Sequence, residues 1–242
     1  MRVLLLGASG ATGRLVVRQL LKREINTRVV IRINAELPAE TEDNPLLDIV
    51  RGSINEFTNL ELGNLLEDCD AVISCLGHNT TFKGMFGNPR YLVFDAVQGI
   101  SEAAKKGGNK KVKLILMSTT AYTNRSRGEI NSTGEKLILS LLNLILPPHR
   151  DNVSAANYLI NEIGQDDEKI EWVAVRPDTL VDAENESAYD LYESSIRSPV
   201  FNAGTTSRIN VSHFMAELLT NEQLWEKWRY KTPVIYNQQQ VD

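Results

Sequence analysis

Cysteine is nearly absent from this chain. Its two thiols, Cys69 and Cys75, lack paired CxxC spacing. That argues against a metal site and a disulfide, and reads as reduced thiols in a cytoplasmic protein. A basic excess is missing too, since 26 Lys and Arg stand against 31 Asp and Glu, a formal charge of −5. No nucleic-acid partner is expected from that balance. Long apolar runs are also lacking. The most apolar later stretch, residues 137–146, is too short to span a bilayer, so no membrane partner is expected. The chain opens directly on what reads as a core strand, without the charged and then apolar pattern of a leader. Linker-like composition and internal repeats are missing, so residues 1–242 read as one domain, with residues 178–242 an extension over the C-terminal edge of a sheet.

What the chain has is an organised beginning, MRVLLLGASGATGR. An apolar strand, residues 3–6, runs into Gly7, Gly10 and Gly13 at three-residue spacing. Leu15, Val16, Val17, Leu20 and Leu21 then recur as a helix requires. Strand, glycine turn and helix form the context of a dinucleotide fingerprint. Gly7 permits the sharp turn, Gly10 lets backbone approach a pyrophosphate, and Gly13 permits close helix packing. The N–H groups and dipole of the helix start would hold the phosphates.

Further along, residues 27–33, 48–50, 70–76, 112–117 and 171–176 read as strands, with helical patterns between most of them. Ser53 or Asn55 is expected to cap the helix after the third strand, and Asn88 and Pro89 to open the helix that ends near Lys106. Residues 135–146 and 151–163 read as helices, and residues 211–219 as another, capped by Ser212. Strands alternating with helices imply an α/β protein with a doubly wound parallel sheet, strand order 3-2-1-4-5-6. Ligands in such sheets bind beyond the strand ends, where the order switches. About twenty positions after the glycines an acid would bind the ribose hydroxyl of NAD, whereas an arginine accommodates the extra phosphate of NADP. Arg32 stands there and Arg14 follows the last glycine, which favours NADP with NAD still possible.

The motifs GASGATGR, AVISCLG and LMSTTAY, with the arginine after the second strand and VRGSIN after the third, resemble atypical short-chain dehydrogenase/reductases. The subgroup is the NAD(P)H-binding, NmrA-like and biliverdin-reductase-B-like proteins. The resemblance covers roughly residues 1–180 and implies a Rossmann fold. It also implies cofactor contacts at Gly7, Ser9, Gly10, Ala11, Thr12, Gly13, Arg14, Arg32, Ser53, Ile54, Leu76, Gly77 and Ser118. Typical members use a Tyr-x-x-x-Lys pair as the acid, yet none of the seven tyrosines here has a lysine four residues later.

Three polar residues are left as catalytic candidates. Ser118 could bond a substrate or the nicotinamide amide, or simply cap a strand end. Tyr122 could be an isolated proton donor, or an aromatic covering the sheet. His149 could be a general acid near neutral pH, or a helix-start residue after two prolines. The glycine-punctuated loop 79–88 reads as a substrate cover or as a plain connection. Two functions are therefore expected as alternatives. The first is an NADP(H)-dependent oxidoreductase passing hydride to a small conjugated substrate such as a quinone or flavin. The second is a redox-sensing regulator that binds the cofactor without turnover.

Overall fold

The computed structural model describes residues 1–78, 81–107 and 110–238. Strand β1 (Arg2–Leu6) leads through the glycine turn into α1 (Gly13–Lys22), β2 (Asn26–Ile31), the single turn α2 (Ala39–Glu42) and β3 (Leu47–Arg51). Next come α3 (Asn59–Leu66), β4 (Ala71–Ser74), α4 (Phe82–Phe86), α5 (Leu92–Lys106) and β5 (Val112–Met117). Helices α6 (Thr133–Ile145) and α7 (Pro147–Tyr158, continued by a π-helical turn, Leu159–Ile163) precede β6 (Ile170–Pro177). The last part holds β7 (Thr179–Val181), β8 (Tyr189–Tyr192), β9 (Thr205–Ser207), α8 (Arg208–Thr220), α9 (Glu222–Trp228) and β10 (Val234–Asn237).

The main sheet runs β3-β2-β1-β4-β5-β6-β10-β8. Its pairings are parallel except for β8, which runs antiparallel to β10. The expected order 3-2-1-4-5-6 is observed, and β10 and β8 extend it beyond β6. Both faces are covered, which is why the strands read as unbroken apolar runs. Val3 and Leu5 of β1 pack with Val16, Leu20, Phe214, Met215 and Trp225, from α1, α8 and α9. Leu4 and Leu6 face the other way, toward Leu62, Val97, Ile100, Ala155 and Leu159, from α3, α5 and α7. Among the described residues no helix is long and apolar enough to cross a membrane.

Several helix starts differ from expectation. Neither Ser53 nor Asn55 caps α3. Thr58 does, in a reciprocal box in which it accepts from the Glu61 N–H while Glu61 accepts from the Thr58 N–H. Ser207, not Ser212, caps α8, accepting from the Asn210 N–H. The Ser212 hydroxyl instead donates to the Ile209 carbonyl. Helix α7 begins at Pro147 rather than Asp151, because proline at a first helical position gives up no needed N–H. Helix α5 begins at Leu92, not Pro89, and the residue before it, Tyr91, makes no side-chain cap. Its cap comes from elsewhere in the chain.

Candidate functional site

At the switch between β1 and β4 the strand ends enclose a cleft of about 230 Å³. Gly7, Ser9 and Gly10 line it from β1, Arg32 from β2, Ser53 and Ile54 from β3, and Leu76, Gly77 and His78 from β4. Gly84, Asn88 and Pro89 complete the lining. The expected cover thus contributes a wall through its later half; Asn79 and Thr80 lie outside the described residues.

The glycine turn has the shape of a phosphate cradle. Gly7 has φ +79°, and a Cβ there would lie 2.6 Å from the Cys75 carbonyl oxygen. A Cβ on Gly13 would lie 2.0 Å from the Gly7 carbonyl oxygen, so this glycine packs α1 against the turn itself. Gly10 differs, because its Cβ would meet only the Gly7 carbonyl oxygen, at 3.2 Å, and otherwise enter the cleft. Among the described residues, no intrachain acceptor takes the N–H groups of Ala11 and Thr12. They sit where the helix dipole adds positive potential. These features fit a dinucleotide pyrophosphate.

Arg14 follows this turn in α1, and Arg32 lines the same cleft as the turn. Arg14 reaches back along it, with Nε 3.4 Å from the Gly10 carbonyl oxygen and Nη2 3.5 Å from that of Ser9. Contacts that long hold it loosely. Arg32 is exposed and lines both the cleft and an adjoining basin with Asn34, Ser53 and Glu56. Among the described residues Arg32 makes no ion pair. Arg51, unremarked in the sequence, donates to the carbonyls of Ile33 and Ala35 at 3.1 and 3.0 Å and so shapes the loop that carries Arg32.

The three catalytic candidates are not brought together. Ser118, just past β5, is buried, its N–H donates to the Val175 carbonyl, and its hydroxyl has no partner. Ser118 is not part of the cleft lining, although β5 pairs with β4, whose end forms one wall; an orphaned buried hydroxyl suits a polar partner such as a cofactor amide. Tyr122 and His149 line a different basin of about 420 Å³, between residues 121–131, α6 and α7. The Tyr122 hydroxyl donates to Asn157 Oδ1 at 3.1 Å, and burial pushes it up to about 12. Burial lowers the pKa of His149. Cys75 borders the cleft, but burial pushes its thiol up to about 12, so it is protonated at neutral pH.

Sequence reading passed over a pair at the end of β4. His78 Nε2 lies 2.7 Å from Asp151 Oδ2, and its Nδ1 lies 3.1 Å from the Gly84 carbonyl oxygen. Asp151 is fully buried and also accepts the N–H groups of Val93 and Phe94 at 2.8 and 2.9 Å. It therefore caps α5 from α7, which is why Tyr91 need not.

The profile of a family described as NAD(P)H-binding matches residues 7–222, and the chain belongs to that family. Solved structures share its fold. A short-chain dehydrogenase/reductase from Veillonella parvula in complex with NADP is 15% identical with a TM-score of 0.67, covering 98% of this chain and 94% of that one. ChuY, an anaerobillin reductase from Escherichia coli O157:H7, is 16% identical with a TM-score of 0.67, and each chain is covered in full at 100%. A proposed NADH-flavin reductase from Streptococcus pneumoniae TIGR4 is 15% identical with a TM-score of 0.66, covering 98% of this chain and 100% of that one. An uncharacterized chloroplastic protein of Arabidopsis thaliana is 28% identical over 145 residues, covering 60% of this chain and 50% of that protein. The chain thus spans about half the length of that curated relative.

Proposed function

We propose that this chain is an NADP(H)-dependent oxidoreductase of the atypical short-chain dehydrogenase/reductase type, acting on a conjugated acceptor such as a quinone or flavin. The observation that carries the reading is the cleft itself. A glycine cradle for a pyrophosphate and the exposed Arg32 after β2 line it, and the orphaned Ser118 hydroxyl lies past the end of the neighbouring β5, outside that lining. When bound, a nicotinamide cofactor supplies the hydride. The N–H groups of the turn would hold its pyrophosphate, Arg32 its 2′-phosphate, and the Ser118 hydroxyl its amide or the acceptor.

The acceptor class follows from where the two acid candidates sit. Tyr122 has its hydroxyl engaged by Asn157 and held near 12, a poor acid at neutral pH. It lines the other basin together with His149. An electron-poor conjugated acceptor needs chiefly proximity and orientation, and solvent can deliver the proton afterwards. The names of the flavin and anaerobillin reductases among the structural neighbours support this reading. That Tyr122 and His149 lie outside the cleft lining equally suits a redox-sensing regulator without turnover. NADPH consumption with menadione or FMN as acceptor separates the two. Steady consumption supports the enzyme, whereas tight binding with no turnover on either supports the regulator.

Two outcomes follow from the named residues. Arg32→Ala should weaken NADPH but not NADH. A charge-assisted pair is worth about 1.5–3 kcal/mol, so a preference of about tenfold or more should disappear in titration calorimetry. Equal affinities in the unaltered chain would refute the NADP assignment. In turnover assays Tyr122→Phe and His149→Ala should each slow the reaction by less than about tenfold, below the range of a placed general acid. A hundredfold loss in either would return the acid role to that residue.

A further inference from the structure

We propose that His78 is a positioning residue for the nucleotide cleft, its imidazolium tying the Gly84 wall to Asp151 and so shaping the cleft for the cofactor. The inference rests on the cleft being the cofactor site. Both partners of His78 can only accept hydrogen bonds. One is the Gly84 carbonyl, at 3.1 Å from Nδ1, and the other a carboxylate, at 2.7 Å from Nε2. Asp151 already accepts two backbone N–H groups of α5. Satisfying both contacts therefore requires a proton on each ring nitrogen. The His78 side chain is only 4% exposed, so solvent does not supply alternative partners freely.

The two contacts respond differently to loss of a proton. Neutral His78 would keep Nε2–H on Asp151, the stronger, charged acceptor. Its Nδ1 would then present a lone pair to the Gly84 carbonyl, and that contact would turn repulsive. Gly84 belongs to α4 and lines the cleft, so the wall loosens while the α5 cap stays in place. The charged groups bearing on His78 from the packed elements are Asp151 on α7 and, through Asp151, Asp95 in the first turn of α5, whose carboxyl is raised by burial and then by Asp151. The hydrogen bond to Asp151 holds the pKa of His78 above its ordinary value. The bridged form is therefore fully present below the unfolded value near 6.5 and is lost as pH rises through the higher folded value.

The test is calorimetric binding of NADPH and NADH from pH 6 to 9 by the whole chain and by His78→Gln, which cannot titrate. A 2′-phosphate itself titrates near pH 6, so the two proteins are compared at each pH, and NADH provides a second ligand without that group. The wild-type affinity should fall by about tenfold across this range for both cofactors, the worth of one hydrogen bond from a charged donor. The variant should be flat with NADH. In parallel, amide exchange over residues 81–88 of the wild type, corrected for intrinsic rates, should rise through the same pH interval, a measurement that needs no variant. A shared pH profile in the two proteins, or unchanged protection over residues 81–88, overturns this inference. Absence of binding at every pH overturns the cofactor reading instead.

Discussion

Gly10→Val should fold like the wild type and bind NADPH at least a hundredfold more weakly. The contrast among the three glycines makes this a clean experiment. Gly7 sits at φ +79° with the Cys75 carbonyl 2.6 Å from any Cβ, and Gly13 would drive a Cβ to 2.0 Å from the Gly7 carbonyl oxygen. Side chains at either position break the turn before they touch a ligand. At Gly10 the nearest atom is the Gly7 carbonyl oxygen at 3.2 Å, so the turn must give by only a few tenths of an ångström. The two methyl groups of valine then occupy the cleft, where a pyrophosphate would lie against the backbone. A hundredfold loss corresponds to about 2.8 kcal/mol, a modest demand for excluding a phosphate from its N–H donors. Thermal melting of the apo variant within a few degrees of wild type, with no binding heat, is the expected pair of results. A folded variant that binds within threefold of wild type would show that the turn is not the phosphate site.

The parts of this molecule that local chemistry decides are legible in its sequence. Strands buried on both faces leave apolar runs, and residues 112–117 read as a strand that β5 matches end to end. The strand order follows from alternation with helices and the handedness of crossovers. Thr58 and Glu61 were also readable, since Thr-x-x-Glu is a capping signature. Strands β8 and β10 are four residues each and are held by distant pairings, which no local period announces. The site divides in the same way. Its glycine turn and Arg32 are sequence-local features. The His78–Asp151 pair spans 73 residues, and the Tyr122–Asn157 bond spans 35. Tyr122 follows β5 closely enough to suggest the cleft, yet tertiary packing turns its hydroxyl toward α7. Arg176, at the end of β6, reads in sequence only as a strand end.

That arginine carries the largest expected effect on stability. Arg176 is completely buried and uses all of its donors. Nε donates to the Thr232 carbonyl at 2.8 Å, and Nη1 to the Tyr122 carbonyl at 3.1 Å and Glu129 Oε2 at 2.8 Å. Nη2 donates to Glu129 Oε1 at 2.6 Å and the Glu193 carbonyl at 3.2 Å. Glu129 in turn accepts the Asn124 N–H at 2.7 Å. One side chain thus ties β6 to the segment after β5, to the approach to β10 and to the end of β8. Arg176→Ala strands the Glu129 carboxylate, only 10% exposed, with three carbonyls short of a donor. Breaking a buried pair in this way costs about 3–5 kcal/mol, which for a chain of this size lowers the melting temperature by roughly 10 °C. The desolvation of Glu129 should dominate that loss. Removing both charges, in Arg176→Met with Glu129→Leu, should therefore cost less than the sum of the single variants. Calorimetric melting of the three variants decides it. A single variant within about 2 °C of wild type, or strictly additive losses, would show that the pair does not hold these segments together.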